Sequence, residues 1–102
     1  MIDKVIEEVM TTLHIINAPQ TAVTFATTLS RFCTNDSVIF IQDGCYSLNI
    51  ADIITQSQQS SVAIYAIADD LTARKVKIDG LLQDLVMPID YDAFVDLTLA
   101  HH

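Results

Sequence analysis

Two cysteines, three histidines and one short basic run are the side chains of this sequence with the clearest chemical potential. Cys45 directly follows Gln42-Asp43-Gly44, which ends the apolar run Val38–Ile41. A thiol at the carboxyl end of a strand is well placed to act as a nucleophile or a sulfur acceptor, provided it ionises. Its neighbours Asp43 and Tyr46 bring no cation, and a nearby carboxylate raises a thiol pKa. The N-terminus of a following helix would pull the other way, so the structural and the reactive readings of Cys45 both stay open. Cys33 ends the apolar stripe of a helical stretch, where a free cysteine is ordinarily core. The pair is read as free thiols rather than a disulfide, because the chain reads as cytoplasmic.

The remaining candidates are weaker. His14 lies in a β-branched stretch and reads as a satisfied, partly buried imidazole; no aligned nucleophile gives it a base role. His101 and His102 stand at the end of the sequence. Arg74-Lys75-Val76-Lys77 is either a solvated helix end or a salt-bridge contact across a subunit interface. No Cys-x-x-Cys or Cys/His spacing suits zinc, and with 2 glycines there is no Gly-rich phosphate loop. No GxSxG elbow is present. Neither a cofactor nor a metal is expected.

The elements that must position these residues follow from hydrophobic pattern. Val38–Ile41 is unbroken, β-branched and aromatic, as in a strand buried on both faces. Gly44 is expected to supply turn angles that other residues resist. Thr11–Ile16 reads as a first strand. Gln20–Cys33 reads as a helix with Pro19 in its first turn and an apolar stripe at three-to-four spacing. Ser47 is expected to cap a second helix carrying Leu48, Ile50, Ala51, Ile53 and Ile54. Val62–Ile67 is a third strand, Asp69-Asp70 opens a short helix, and Leu85–Ile89 reads as a short fourth strand in which Pro88 points to an edge or to the strand's end. Asp90 caps a last helix, Tyr91–His101. The alternation predicts an α/β domain with a mostly parallel sheet of four or five strands and helices on both faces.

Composition narrows the function classes. The 102 residues suit one domain, and 51% hydrophobic residues with a mean hydropathy of +0.38 are apolar for so small a chain. An apolar face buried in an oligomer is the expectation, with self-association of the chain alone. A formal net charge of −8 argues against direct nucleic-acid contact and favours a partner with a basic patch. No apolar run approaches a membrane span, and Met1–Val9 lacks the apolar core of a signal peptide, so a cytoplasmic location is expected.

Four segments then converge on a family. Thr12–His14 (TLH), Ile41–Gly44 (IQDG), Ile64–Arg74 (IYAIADDLTAR) and Ile89–His101 (IDYDAFVDLTLAH) come in the order and rough spacing of TusB/DsrH proteins. These are the smallest members of the DsrE/DsrF/DsrH-like sulfur-relay superfamily, and the resemblance runs from about Thr11 to the end. It implies a small Rossmann-like three-layer domain over 11–102, with 1–10 as an N-terminal extension. It also implies a non-catalytic subunit of a TusBCD-type heterohexamer with TusC- and TusD-like partners. That complex passes persulfide sulfur, through sulfur-carrier proteins, towards 2-thiouridine at the tRNA wobble position. In the family the sulfur-carrying cysteine belongs to the TusD/DsrE-type partner. Some DsrH proteins carry a cysteine on the first helix, but Cys33 lies about a turn further on and the role is not carried over. The alternatives are a persulfide carrier in its own right, through Cys45 or Cys33, and a DsrH-type subunit in sulfur oxidation. Gln42, Asp43, Gly44, Asp70 and Arg74 are the expected interface or turn-fixing residues. One departure stands out: Lys75 occupies the family's glycine after the DLxAR motif.

Overall fold

A run with no polar face has nothing to show to water, so it belongs in the middle of a covered sheet. The computed structural model describes residues 12–30, 36–49, 55–56 and 62–100. In it Ser37–Phe40 forms the central strand β2, and Val38, Ile39 and Phe40 are fully buried. It is flanked by β1 (Leu13–Ile16) and β3 (Ala63–Ile67), with β4 (Val86–Ile89) at the far edge. All pairs are parallel and the order is β1-β2-β3-β4. Among the described residues the sheet therefore has 4 strands, the smaller of the two expected sizes.

Register decides which side chains share a face. His14, Val38, Ile64 and Val86 align in one row, with Ile16, Phe40, Ala66 and Pro88 two residues on. A right-handed crossover that always steps the same way places every connection over one face. The core agrees, because each connection supplies it. Phe25 comes from α1 (Ala22–Leu29), Cys45 and Leu48 from the β2–β3 connection, and Leu71, Val76 and Leu82 from the β3–β4 connection. The Phe25 and Phe40 rings lie 5.9 Å apart at 37°. Burying each such side chain contributes about 1.5–3 kcal/mol. The opposite face carries the row Ile15, Ile39, Tyr65 and Met87. There α4 (Tyr91–Ala100) lies over Tyr65, Met87 and Ile89, which makes the domain three-layered.

Several boundaries differ from the sequence reading. Helix α1 starts at Ala22 rather than Gln20, because Thr21 and Thr24 form a reciprocal cap: Thr24 N donates to Thr21 Oγ1 (3.1 Å) and Thr21 N to Thr24 Oγ1 (2.9 Å). Pro19 therefore precedes the cap. The helix that Ser47 is expected to cap lies outside the described residues, and the structure gives Ser47 another partner. Ser47 lies within a 3-10 turn, Gln42–Asn49, is buried, and accepts from Gln20 N at 2.9 Å, which fastens the entry of α1. The expected helical residues Ile50–Ile54 and Cys33 lie outside the described residues, as do the extension 1–10, His101 and His102. The mixed stretch after Val76 holds a short helix, α3 (Leu81–Leu85), entered through Gly80 at φ 57°. Asp90 caps α4 as read, its Oδ1 accepting from Ala93 N at 2.8 Å.

Lys75 carries strain. Helix α2 (Ala68–Ala73) ends with Lys75 N donating to Thr72 O and Val76 N donating to Leu71 O, 3.2 and 2.9 Å. This is a Schellman motif, and its accompanying apolar contact is supplied by Val76 and Leu71, both in the core. The motif needs a left-handed residue after the cap, and Lys75 sits at φ 56°. A Cβ there costs about 1–2 kcal/mol. The core contact of Val76 holds the turn. Lys75→Gly is expected to raise stability by about 0.5–1 kcal/mol after the added unfolded-state entropy. Urea denaturation would read this as a higher midpoint at an unchanged slope.

Candidate functional site

At the carboxyl edge of β2 the chain must leave a buried strand and reach the surface within a few residues. Ile41 N donates to Ile16 O at 2.9 Å, then Gly44 N turns back to Ile41 O at 2.9 Å. Between them Gln42 sits at φ 50°, a left-handed conformation that a glutamine resists. Its N–H is held by Asp70, whose Oδ2 accepts it at 2.7 Å. Asp70 lies in the first turn of α2, which follows β3 without a loop. The adjacency of β2 and β3 thus brings residues 42 and 70 together.

Asp70 collects further partners. Tyr91 Oη donates to its Oδ1 at 3.0 Å, and Arg74 Nη1 stands 3.7 Å from the same oxygen. Arg74 Nε donates to Asp43 Oδ1 at 2.9 Å, so the guanidinium links the turn to α2. Asp70 is buried while Asp43 is exposed. Solvent therefore screens the Arg74–Asp43 pair, which adds little by itself. The hydrogen bond to Asp70 pushes the Tyr91 phenol up.

Gly44 is glycine for a reason other than the one expected from sequence. Its φ is not in the left-handed region; among the described residues Gly80 is the positive-φ glycine. Instead the 3-10 turn lies so close to the end of β1 that a Cβ on Gly44 would collide with the Ile16 carbonyl. The positive angle sits two residues earlier, on Gln42.

Cys45 follows inside this turn and is fully buried. Its thiol donates to Phe40 O at 3.5 Å. Burial, and then the nearby Asp70 carboxylate, push the thiol up to about 11, against a partial counter-pull from Arg74. At neutral pH it is a protonated, enclosed thiol. Cys33, the other cysteine, lies outside the described residues.

The structure thus brings Gln42, Asp43, Gly44, Asp70 and Arg74 into one cluster, with Cys45 beneath it. His14 stands apart at the amino edge. Its Nε2 is 2.9 Å from Asp36 Oδ2, and Asp36 Oδ1 accepts from Thr12 N at 3.0 Å, so a buried carboxylate fastens the start of β1 to the start of β2. Of the basic run, Arg74 makes its contacts within the chain, while Lys75 and Lys77 are exposed. Sequence reasoning missed two participants. They are Tyr91 and Asp36, neither of which the sequence pattern singles out. Position 91 directly after a helix cap is the one local signal, and nothing in it points to residue 70. Among the described residues no set of three or more His, Cys, Asp or Glu could hold a metal ion.

A family model described as DsrH like protein matches residues 17–102. The chain belongs to the DsrH-like family. Proteins named Protein TusB from Escherichia coli O1:K1 / APEC, Shigella boydii serotype 18 and Escherichia fergusonii are each 29% identical to it over 90 residues. Those matches cover 87% of this chain and 93% of each relative. Every residue of the cluster lies within the span that the DsrH-like model matches.

Two outcomes test the geometry of this DsrH-like site. Asp70→Ala removes the acceptor from a strained N–H and a phenol at once, and is expected to cost about 2–3 kcal/mol, more than Tyr91→Phe, which removes only one of the two bonds. Urea denaturation measures both. The buried Cys45 thiol makes stability depend on alkaline pH. Below pH 9.0 folded and unfolded chains both hold the proton. Between 9.0 and about 11 only the folded chain does, so its stability falls as pH rises through that window. Cys45→Ala is expected to flatten this slope in unfolding curves measured across the same range.

Proposed function

We propose that this chain is a non-catalytic subunit of a TusBCD-type sulfur-relay complex in the cytoplasm, supporting persulfide transfer towards 2-thiouridine at the tRNA wobble position. In this reading TusC- and TusD-like chains complete the assembly and a TusD-like partner carries the sulfur. The relatives named TusB, matched over most of both chains, support the sulfur-relay role. Among the described residues no helix is long and apolar enough to cross a membrane.

The observation that carries the non-catalytic assignment is the state of Cys45. A persulfide acceptor must present a thiolate to a donor sulfur. Cys45 is sealed from solvent, bonded to Phe40 O and held protonated well above neutral pH. Gln42, Asp43, Gly44, Asp70 and Arg74 then act as turn-fixing residues, shaping the edge of the sheet that faces a partner rather than a substrate. The net charge of −8 leaves tRNA contact to other members of the assembly.

The test is persulfide loading read by intact mass. The chain is incubated with a cysteine desulfurase and cysteine, alone and after mixing with its TusC- and TusD-like partners. No added sulfur on the chain alone, with loading of a partner in the mixture, is the expected result. One added sulfur on the isolated chain, lost in Cys33→Ser or Cys45→Ser, would make it a carrier and overturn the assignment.

A further inference from the structure

Helix α4 closes the second face of the sheet incompletely. It has ten residues, none of them buried, and a groove of about 350 Å3 separates it from its floor of Tyr65, Met87 and Ile89. A helix this short is marginal without tertiary support. Ala93, Asp96, Leu97 and Ala100 line the groove toward the sheet, Asp96 at its border with the outer side. Tyr91, Val95 and Leu99, spaced i, i+4, i+8, form a ridge on the outer side and are 48%, 55% and 73% exposed.

The charges beside this ridge are of one sign. Asp92 and Asp96 follow ridge residues by one position and therefore border it along one flank, and the ion pairs among the described residues involve neither. After Lys77 the sequence holds Asp79, Asp84, Asp90, Asp92 and Asp96 but no Lys or Arg. An apolar i±4n ridge packs into the groove of another helix. An uncompensated acidic flank asks for cations opposite it. A second copy of this chain brings −8 of its own and the same aspartates, so it is repelled.

We infer that the Tyr91–Val95–Leu99 ridge of α4 docks an amphipathic helix of a different subunit, whose apolar contact face is flanked by Lys or Arg opposite Asp92 and Asp96. This rests on the subunit reading above and specifies the face used. Because Tyr91 Oη also reaches Asp70, the docked helix would sit one residue away from the network that holds the Gln42 turn.

The test co-purifies the full chain with its TusC- and TusD-like partners and measures assembly by light scattering and by titration at 50 mM and 500 mM salt. Val95→Glu and the double variant Asp92→Lys/Asp96→Lys alter exposed positions only, and their melting temperatures are expected to match the parent chain. Each is expected to weaken assembly at least tenfold. The charge variant should also lose the parent's salt dependence. Assembly of both variants at parental affinity overturns the docking face while leaving the subunit reading intact. Failure of the parent chain to assemble overturns the subunit reading and the docking face together. A parental homodimer that the variants dissociate, with hetero-assembly unchanged, assigns the ridge to a second copy and also overturns the inference.

Discussion

The carboxylate of Asp70 holds three separately folded segments in one place. It takes the N–H of Gln42 from the turn after β2, the phenol of Tyr91 from the start of α4, and the side-chain charge of Arg74 from its own helix. Without an acceptor the Gln42 N–H would be left in a left-handed turn with no partner, and an unmet donor beside a core costs more than a made bond returns. The direction of the chain as it leaves the central strand therefore depends on one side chain 28 residues later. Parallel pairing of β2 with β3 delivers that side chain, because Asp70 comes directly after β3 ends.

The same arrangement determines what Cys45 can be. The turn must hug the end of β1, which is why residue 44 has no side chain. That close approach folds Cys45 inward under the cluster, against Phe40 O and near the Asp70 carboxylate. A position at the end of a parallel strand is often a place for chemistry. Here the residues that fix the turn also desolvate the thiol and surround it with net negative charge, so the edge is built for shape.

The two faces of the sheet are unequal for a topological reason. Strand order that follows chain order sends every crossover to the same side, where Phe25, Leu48, Leu71 and Leu82 pack a continuous core. The other side is left to α4, the one described helix that is not a crossover. Half-covered Tyr65 and exposed Met87 on that face, with the outward ridge of α4, leave apolar surface on a chain already rich in it. The excess hydrophobicity noted in the composition thus has a location. The acidic residues beside the ridge, with no Lys or Arg after Lys77 in the sequence, set the sign of a surface that would fit it.

Much of the fold was legible from pattern alone. Val38–Ile41 announced a buried strand because a run without polar members has one sensible place to go. Strand β3, the Pro88 edge and the Asp90 cap were equally local, since each depends on side chains a few residues apart. Short-range chemistry also hid things in plain view: the Thr21/Thr24 cap moved the start of α1, and the short helix after Gly80 had no clear periodicity to show it. What the tertiary structure alone decided is every relation across the sheet. That Ser47 anchors Gln20, that Asp36 takes His14, that Tyr91 reaches Asp70 and that Gly44 is required by the Ile16 carbonyl are consequences of register. No window of sequence contains both partners. Composition and periodicity determine which residues must be buried; only the packing of strands side by side determines which buried or half-buried group each one meets.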